Sequence, residues 1–167
     1  MKIGLLSDTH NHLDAKVFKH FDDCDEIWHA GDIGTLALLD ELQNFKKTRA
    51  VYGNIDGDKI RAVCPEDLWF SVAGINVWIT HIGGYPPKYN KRSKEILKTR
   101  QPDLMICGHS HILKIMRDPA INNMLYINPG AAGIHGFHRV KTLVKFEILK
   151  ASISNMQVIE LGQRAHG

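Results

Sequence analysis

The stretch KIGLLSDTH, residues 2–10, joins a short apolar run to a polar ending that contains an aspartate and a histidine. Short apolar runs that end at a turn signal are typical of strands buried on both faces of a sheet. We therefore predict a buried strand over Lys2–Leu6 that leads into a polar loop carrying Asp8 and His10.

Four more apolar runs end in a residue that can bind metal. They are residues 26–30 before Asp32, 49–52 before Asn54, 76–80 before His81 and 103–107 before His109. Residues 14–21 and 35–45 lie between the first strands and carry apolar side chains at helical spacing. Alternating strands and helices predict parallel pairing, and the carboxyl-end loops of such strands share one rim. We expect all five polar endings to meet there.

The rest of the chain is predicted to be mostly strands. Residues 68–80 contain a glycine turn between two β-rich runs and predict a hairpin, whereas residues 88–100 predict a surface helix ended by Pro102. Further strand-like runs cover residues 112–117, 124–127, 142–149 and 153–161. They predict a second sheet packed on the first.

Length and composition indicate one globular domain over residues 1–167. Hydrophobic residues make up 44% of the chain and charged residues 23%, which excludes a disordered or fibrous protein. The net charge of +3 neither requires nor excludes an anionic partner.

The cysteines bear on the compartment. Cys24, Cys64 and Cys107 are odd in number and form no C-x-x-C pair, so they match neither a disulfide framework nor a zinc knuckle. The apolar run before Asp8 is too short for a signal peptide or a membrane span. We expect a cytoplasmic protein with no membrane partner.

The polar endings combine carboxylate, imidazole and amide ligands. This mixture suits Mn²⁺, Fe²⁺, Co²⁺, Ni²⁺ or Zn²⁺ better than Ca²⁺ or Mg²⁺. The absence of cysteine from these positions argues against a structural zinc site. Each ending alone is typical of an ordinary turn, so the prediction depends on their combination.

Six linked motifs resemble those of the calcineurin-like metallophosphoesterases, in particular their small prokaryotic phosphodiesterase branch. The motifs are Asp8-Thr9-His10, Gly31-Asp32, Gly53-Asn54, Thr80-His81, Gly108-His109-Ser110-His111 and Asn128-Pro129-Gly130. The resemblance covers nearly the whole chain. It implies an α/β fold in four layers, an αββα sandwich of two mixed β-sheets flanked by helices.

The resemblance also implies a two-metal site. One divalent ion would be held by Asp8, His10, Asp32 and His111, and the second by Asp32, Asn54, His81 and His109. Mn²⁺ is favoured, with Ni²⁺, Co²⁺, Fe²⁺ and Zn²⁺ as alternatives. Two such ions, roughly 3.5 to 4 Å apart, share a hydroxide that attacks a phosphodiester. Asp32, Asn54 and His81 are the residues assigned to catalysis.

One position departs from the family pattern. Many members of the wider superfamily place a histidine after the Gly-Asn pair, where this chain has Ile55. A general acid is typically worth about 10² to 10⁴-fold in rate, and isoleucine cannot transfer a proton. We therefore expect good turnover for easy leaving groups. Asp56 is a candidate replacement, although a turn role before Gly57 is favoured.

A small phosphorylated substrate is the expected partner. Asn54, Tyr85 and His135 are candidate substrate-binding residues, although a surface-loop role is favoured for His135 and His138. The basic run of residues 88–100 contains few aromatic residues, so nucleic acid is disfavoured. The sequence is also compatible with a homo-oligomer.

Two other functions compete with the enzyme hypothesis. The same fold serves in the retromer complex as a protein-binding scaffold with a weakened metal site, which makes a weakly catalytic or non-catalytic scaffold the main alternative. Every ligand position here, including His10, carries a competent residue type, which favours catalysis. A structural metal protein is disfavoured because the inferred ligands leave positions for water and substrate.

Overall fold

The computed structural model describes residues 1–164 and contains two large sheets with helices on their outer faces. The strands are β1 (Lys2–Leu6), β2 (Glu26–His29), β3 (Lys47–Ala50), β4 (Asp67–Val72), β5 (Ile75–Thr80), β6 (Gly84–Tyr85), β7 (Lys88–Tyr89), β8 (Leu104–Ile106), β9 (Lys114–Asp118), β10 (Met124–Asn128), β11 (Val140–Leu149) and β12 (Ser152–Gln163). The helices are α1 (Lys16–His20), α2 (Leu36–Phe45), α3 (Asp58–Arg61) and α4 (Lys91–Thr99).

The strands with polar endings divide between the two sheets. The first sheet has the order β12-β11-β1-β2-β3, with β1, β2 and β3 parallel. The second has the order β4-β5-β8-β10-β9, with β5, β8 and β10 parallel. The predicted parallel pairing is therefore present within each sheet. The expectation of a separate C-terminal sheet is wrong, because β11 and β12 extend the first sheet and β9 and β10 extend the second.

Long-range pairing explains this difference. The central strand β1 is buried, so the backbone groups on both of its edges need partners. It pairs with β2 on one edge and antiparallel with β11 on the other, from Lys2 opposite Glu147 to Leu5 opposite Val144. The partner strand β11 lies far from β1 along the chain, and the local hydrophobic pattern does not specify such a pairing.

Among the described residues, three buried clusters of apolar side chains fill the spaces between the four layers. The cluster between the sheets includes the large side chains Trp28, Ile79, Ile106, Ile127 and Phe146. A second packs α1, α2 and α3 on the first sheet through Val17, Phe21, Leu39, Leu42 and Ile60. A third packs α4 on the second sheet through Trp78, Leu97, Met105 and Tyr126. The predicted αββα sandwich is confirmed.

Local capping sets the helix ends. The side chain of Thr35 accepts a hydrogen bond from the N–H of Leu38 and begins α2, close to the predicted start. The helix predicted over residues 88–100 begins later, because β7 pairs with β6 and the Asn90 side chain then accepts from the N–H of Ser93. The hairpin predicted over residues 68–80 is formed by β4 and β5.

No helix within residues 1–164 is long and apolar enough to cross a membrane. The thiols of Cys24, Cys64 and Cys107 are free and buried. Burial raises their pKa values to about 11, about 11 and about 12 respectively, so these thiols stay protonated and unreactive near neutral pH.

Candidate metal centre

The seven candidate ligands lie at one rim of the sandwich, as predicted. Asp8 and His10 follow β1, Asp32 follows β2, Asn54 follows β3, His81 follows β5, and His109 and His111 follow β8. Backbone hydrogen bonds join the loops: the N–H of Asp8 donates to Gly31, and the N–H of Gly108 donates to His81 across 3.0 Å in each case. Because β1, β2 and β3 belong to the first sheet and β5 and β8 to the second, the candidate ligands come from both sheets.

A first group of ligand atoms comes from Asp8, His10 and His111, and all of these atoms lie within 4.8 Å of one another. The Nε2 of His111 is 3.1 Å from Oδ1 of Asp8. The Nε2 of His10 is 3.5 Å from Oδ2 of Asp32. These three residues can hold a metal ion beside Asp32.

A second group comes from Asp32, His81 and His109, again with ligand atoms within 4.8 Å. The Nε2 of His81 is 3.3 Å from Oδ1 of Asp32 and 3.1 Å from Oδ1 of Asn54. Asp32 thus presents Oδ1 to the second group and Oδ2 to the first. Its carboxylate stands between the two groups.

The geometry fits divalent cations on two counts. Ligands about 2.1 Å from one ion and at right angles to each other are about 3.0 Å apart, close to the observed separations. In addition, the buried Nε2 of His10 has no hydrogen-bond partner among the described residues. Buried polar atoms are normally paired, so this nitrogen has the position of a metal ligand.

The charges also suit a cation. Burial lowers the pKa of His10 and of His109, which keeps both imidazoles neutral and able to offer a lone pair. For Asp32, burial raises the pKa, but hydrogen bonds from His81 and from the N–H of Ile55 outweigh it, and the net shift is downward. Burial lowers the pKa of His81, and the Asp32 and Asp8 carboxylates reverse this to a net rise.

Hydrogen bonds select the ring nitrogen that faces the centre. The Nδ1 of His81 donates to the carbonyl of Ala30 across 2.7 Å, which leaves Nε2 toward Asp32. The Nε2 of His138 donates to the carbonyl of Gly133 across 2.8 Å. Neutral His138 therefore accepts at Nδ1 from Nδ1 of His111, 3.2 Å away. This chain of bonds turns the free Nε2 of His111 toward Asp8.

Backbone strain is concentrated at these positions. Positive φ values, which are uncommon outside glycine, occur at five candidate ligands. They are Asp8 (53°), His10 (46°), Asp32 (55°), His109 (68°) and His111 (57°). Strain of this kind clusters at functional sites, where the surrounding structure holds it.

The glycines before the ligands pack against ligands from other loops. A Cβ at Gly31 would lie 2.6 Å from Nδ1 of His81, and a Cβ at Gly53 would overlap the Asp32 carboxylate. At Gly108 it would lie 2.8 Å from Oδ2 of Asp8. Only glycine leaves room for the loops to approach this closely.

A family model described as the calcineurin-like phosphoesterase superfamily domain matches residues 1–151. The chain belongs to this superfamily. Phosphoesterases of this superfamily use divalent metals to hydrolyse phosphoric esters, and the two ligand groups agree with that chemistry. The chain is accordingly a phosphoric ester hydrolase.

Archaeal phosphoesterases are among its relatives. A probable metallophosphoesterase of Methanothermobacter thermautotrophicus is 29% identical over 136 residues, which cover 78% of this chain and 77% of the relative. A phosphodiesterase of Methanocaldococcus jannaschii is 27% identical over 146 residues, covering 78% of this chain and 83% of the relative. A crystal structure of a Vps29 variant from Entamoeba histolytica shares the fold, with a TM-score of 0.73, 15% identity and coverage of 97% and 100%.

In this phosphoesterase, the position that departs from the family pattern is exposed beside the centre. The side chain of Ile55 is 46% exposed, and its N–H donates to Oδ1 of Asp32 across 3.0 Å. Asp56 is buried and accepts from the backbone N–H groups of Ile33, Gly34 and Gly53. Its carboxylate joins the loops that carry Asp32 and Asn54, so its role extends beyond the predicted turn, and both of its oxygens are engaged by backbone N–H groups.

In the part of the phosphoesterase that the structure describes, cavities lie on two sides of the ligands. One, of about 240 Å³, is lined by Tyr85 together with His109, and the other, of about 280 Å³, by Asn54 together with His81. The exposed His135 ring lies 6.0 Å from the ring of His10. The three predicted substrate-binding residues therefore border the centre, and their role stays a prediction.

The sequence did not specify how His29 supports the centre. Buried His29 accepts from the N–H of Gly31 at Nδ1 and bonds to Thr9 at Nε2, 2.9 Å away, so it links two ligand loops. Burial lowers its pKa to about 4 and keeps it neutral. Asn128, from the Asn128-Pro129-Gly130 motif, also supports a ligand loop, since its side chain donates to the carbonyl of Gly108 across 2.8 Å. A histidine at the end of an apolar run was the one available signal for His29.

Proposed function

We propose that this phosphoesterase is a two-metal phosphodiesterase. Asp8, His10, Asp32 and His111 would hold one cation, and Asp32, Asn54, His81 and His109 the other. The observation that carries the proposal is the Asp32 carboxylate, which directs one oxygen to each ligand group. A carboxylate in that position is suited to bridge two ions.

Divalent cations bound there, with Mn²⁺ favoured, would lower the pKa of water enough to supply hydroxide near neutral pH and would offset the charge of the phosphate. The chain itself fixes the ligands. The carbonyl of Ala30 orients His81, and the amide of Asn54 contributes an oxygen without adding negative charge. Two carboxylates among seven ligands keep the site attractive to a phosphodiester anion.

The proposed substrates are esters with good leaving groups. The side chain next to Asn54 is the apolar Ile55, and the nearby Asp56 carboxylate is engaged by three backbone amides. Neither residue is placed to protonate a departing alkoxide. Aryl diesters and other activated esters need no such proton and fit this site best.

The test is hydrolysis of bis(p-nitrophenyl) phosphate and p-nitrophenyl phosphate with Mn²⁺, Ni²⁺, Co²⁺, Zn²⁺ or Mg²⁺. Asp32→Asn is the inactive variant, and Asp58→Asn, an exposed carboxylate near the rim, is the matched control. We expect turnover with at least one metal, faster on the diester, lost in Asp32→Asn and kept in Asp58→Asn. Turnover no higher than that of Asp32→Asn with every metal would refute the proposal and favour the scaffold alternative.

The positions of the exposed apolar side chains support the phosphodiesterase proposal more than the scaffold alternative. Ile55, Ile82 and Ile112 each directly follow a candidate ligand, so they are suited to contact a substrate. The long strands β11 and β12 expose the separate side chains of Leu149 and Val158. A cytoplasmic location and the choice of Mn²⁺ stay predictions.

A further inference from the structure

The cavity on the His109 side of the centre has a distinct chemical character. It has a volume of about 240 Å³, and its lining includes Ile82, Tyr85, His109, Ser110, Ile112 and Lys114. We call it the Lys114 cavity. Because His109 is a candidate metal ligand, a phosphate bound at the metals would direct one of its substituents toward this space.

Apolar and aromatic side chains form most of its walls. Ile82 is 41% exposed and Ile112 is 62% exposed at the mouth. The segment that carries Tyr85 is fixed, because the hydroxyl of Tyr126 donates to the carbonyl of Gly84 across 2.7 Å. An apolar cavity of about 150 Å³ accommodates benzene, so the larger Lys114 cavity has room for a substituted aromatic ring.

The ammonium group of Lys114 is available for an ion pair. Its Nζ lies 3.9 Å from the centroid of the Tyr85 ring. Within residues 1–164 it forms no salt bridge, and the cavity lining contains no aspartate or glutamate. In the neighbouring cavity, by contrast, Arg92 is paired with Asp67. Ser110 adds a free hydroxyl proton, since its Oγ already accepts from Asn128 and from the N–H of Ile112.

We propose that the Lys114 cavity binds the organic substituent of the phosphoester and that Lys114 pairs with a second anionic group on that substituent. The group is a carboxylate or a phosphate, which share the negative charge that the ammonium recognises. The apolar walls account for the organic part, and the unpaired cation accounts for the charge. This assignment rests on the proposed function and names its substrate class.

The first experiment measures binding without turnover. Phenylphosphonate, 4-carboxyphenylphosphonate and benzene-1,4-diphosphonate, whose P–C bonds are not hydrolysed, are titrated calorimetrically into Mn²⁺-loaded protein. We expect at least one of the two probes with a second anionic group to bind about tenfold more tightly than phenylphosphonate, the effect of one charge-assisted hydrogen bond at a partly exposed site. The anionic probe that binds more tightly identifies the group that Lys114 recognises. Equal Kd values for all three probes would overturn the proposal.

Variants assign the effect to Lys114. Lys114→Met keeps the aliphatic stem and should remove the preference, whereas Lys114→Glu should reverse it. Lys94→Met, at an exposed lysine of α4, makes the same change in net charge and should keep the preference. A preference that survives Lys114→Met, or that is lost equally in Lys94→Met, overturns the assignment.

Turnover separates this proposal from the proposed function. In p-nitrophenyl aryl diesters with a neutral or a 4-carboxyl second ring, Lys114→Met should lower kcat/KM for the charged substrate, relative to that for the neutral one, by about tenfold. Selective binding without any hydrolysis would refute the proposed function alone. Hydrolysis without this selectivity would refute the proposed role of the Lys114 cavity and leave the proposed function intact.

Discussion

Replacement of Asp56 by alanine should lower the free energy of unfolding of the protein. It should also weaken the binding of Mn²⁺ at the candidate metal centre. The Asp56 carboxylate is buried and accepts three backbone N–H groups, at 3.1 Å from Ile33, 2.8 Å from Gly34 and 2.8 Å from Gly53. Its own backbone carbonyl also accepts from Arg61. The side chain is thus the direct link between the loops of Asp32 and Asn54.

The expected magnitude follows from those three bonds. A buried donor left without an acceptor costs about 1 to 3 kcal/mol. The N–H of Gly34 is only half-buried, and bonds that share one carboxylate are not additive, so the total for Asp56→Ala is about 4 kcal/mol. For a chain of this size, that corresponds to a fall of roughly 8 to 16 °C in Tm. Asp56→Asn keeps the shape, loses one acceptor and should cost about 2 kcal/mol.

Urea unfolding of the metal-free protein measures this free energy, with Asp58→Ala as the matched control on an exposed carboxylate. The control should change the free energy of unfolding by no more than about 0.5 kcal/mol. Calorimetric titration with Mn²⁺ then tests the link to the site, and affinity should fall in the order wild type, Asp56→Asn, Asp56→Ala. If Asp56→Ala unfolds within about 1 kcal/mol of wild type, the carboxylate does not hold the loops as described.

Three other predictions follow from the same structure. Ile55→His should raise kcat more on phenyl esters than on p-nitrophenyl esters, because it adds a proton donor beside the centre; equal gains on both would contradict the account of the leaving group. His138→Ala should weaken Mn²⁺ binding about tenfold by removing the partner of His111 Nδ1, as read by calorimetry, whereas the exposed Arg139→Ala should leave it unchanged. Burial raises the pKa of Glu26, but hydrogen bonds from Arg49, Lys47 and Trp28 outweigh it and lower the pKa to about 2 from 4.5. The stabilisation is complete above pH 4.5 and is lost as the pH falls toward 2, so the difference in unfolding free energy between wild type and Glu26→Gln should shrink over that window; a constant difference would refute it.

The sequence predicted the location of the candidate site well because its signals are local. Each ligand lies within four residues of the end of an apolar run, and carboxyl ends of parallel strands meet at one edge whichever sheet contains them. Asp8 and Asn54 could therefore be brought to one rim before their strand partners were known. The four layers came from the family resemblance rather than from periodicity.

Features that depend on distant partners were not predictable in the same way. The pairing of β1 with β11 joins residues more than a hundred positions apart, as in Leu5 opposite Val144. Asp56 resembled a turn residue because the pattern before Gly57 is local, whereas two of its backbone partners, Ile33 and Gly34, lie on another loop. The hydrogen bond that His111 donates to His138 likewise has no sequence signal.

The close packing of Gly31, Gly53 and Gly108 bears on how this centre can be redesigned or transplanted. Each of these glycines gives space to a ligand from a different strand, so a loop grafted singly into another scaffold would lose the neighbour that shapes it. The loops that carry the ligands therefore have to be transferred together. Directed evolution has more freedom at the exposed neighbours of the ligands, such as Ile55 and Ile82, where new side chains can alter specificity while the interlocked backbone keeps its form.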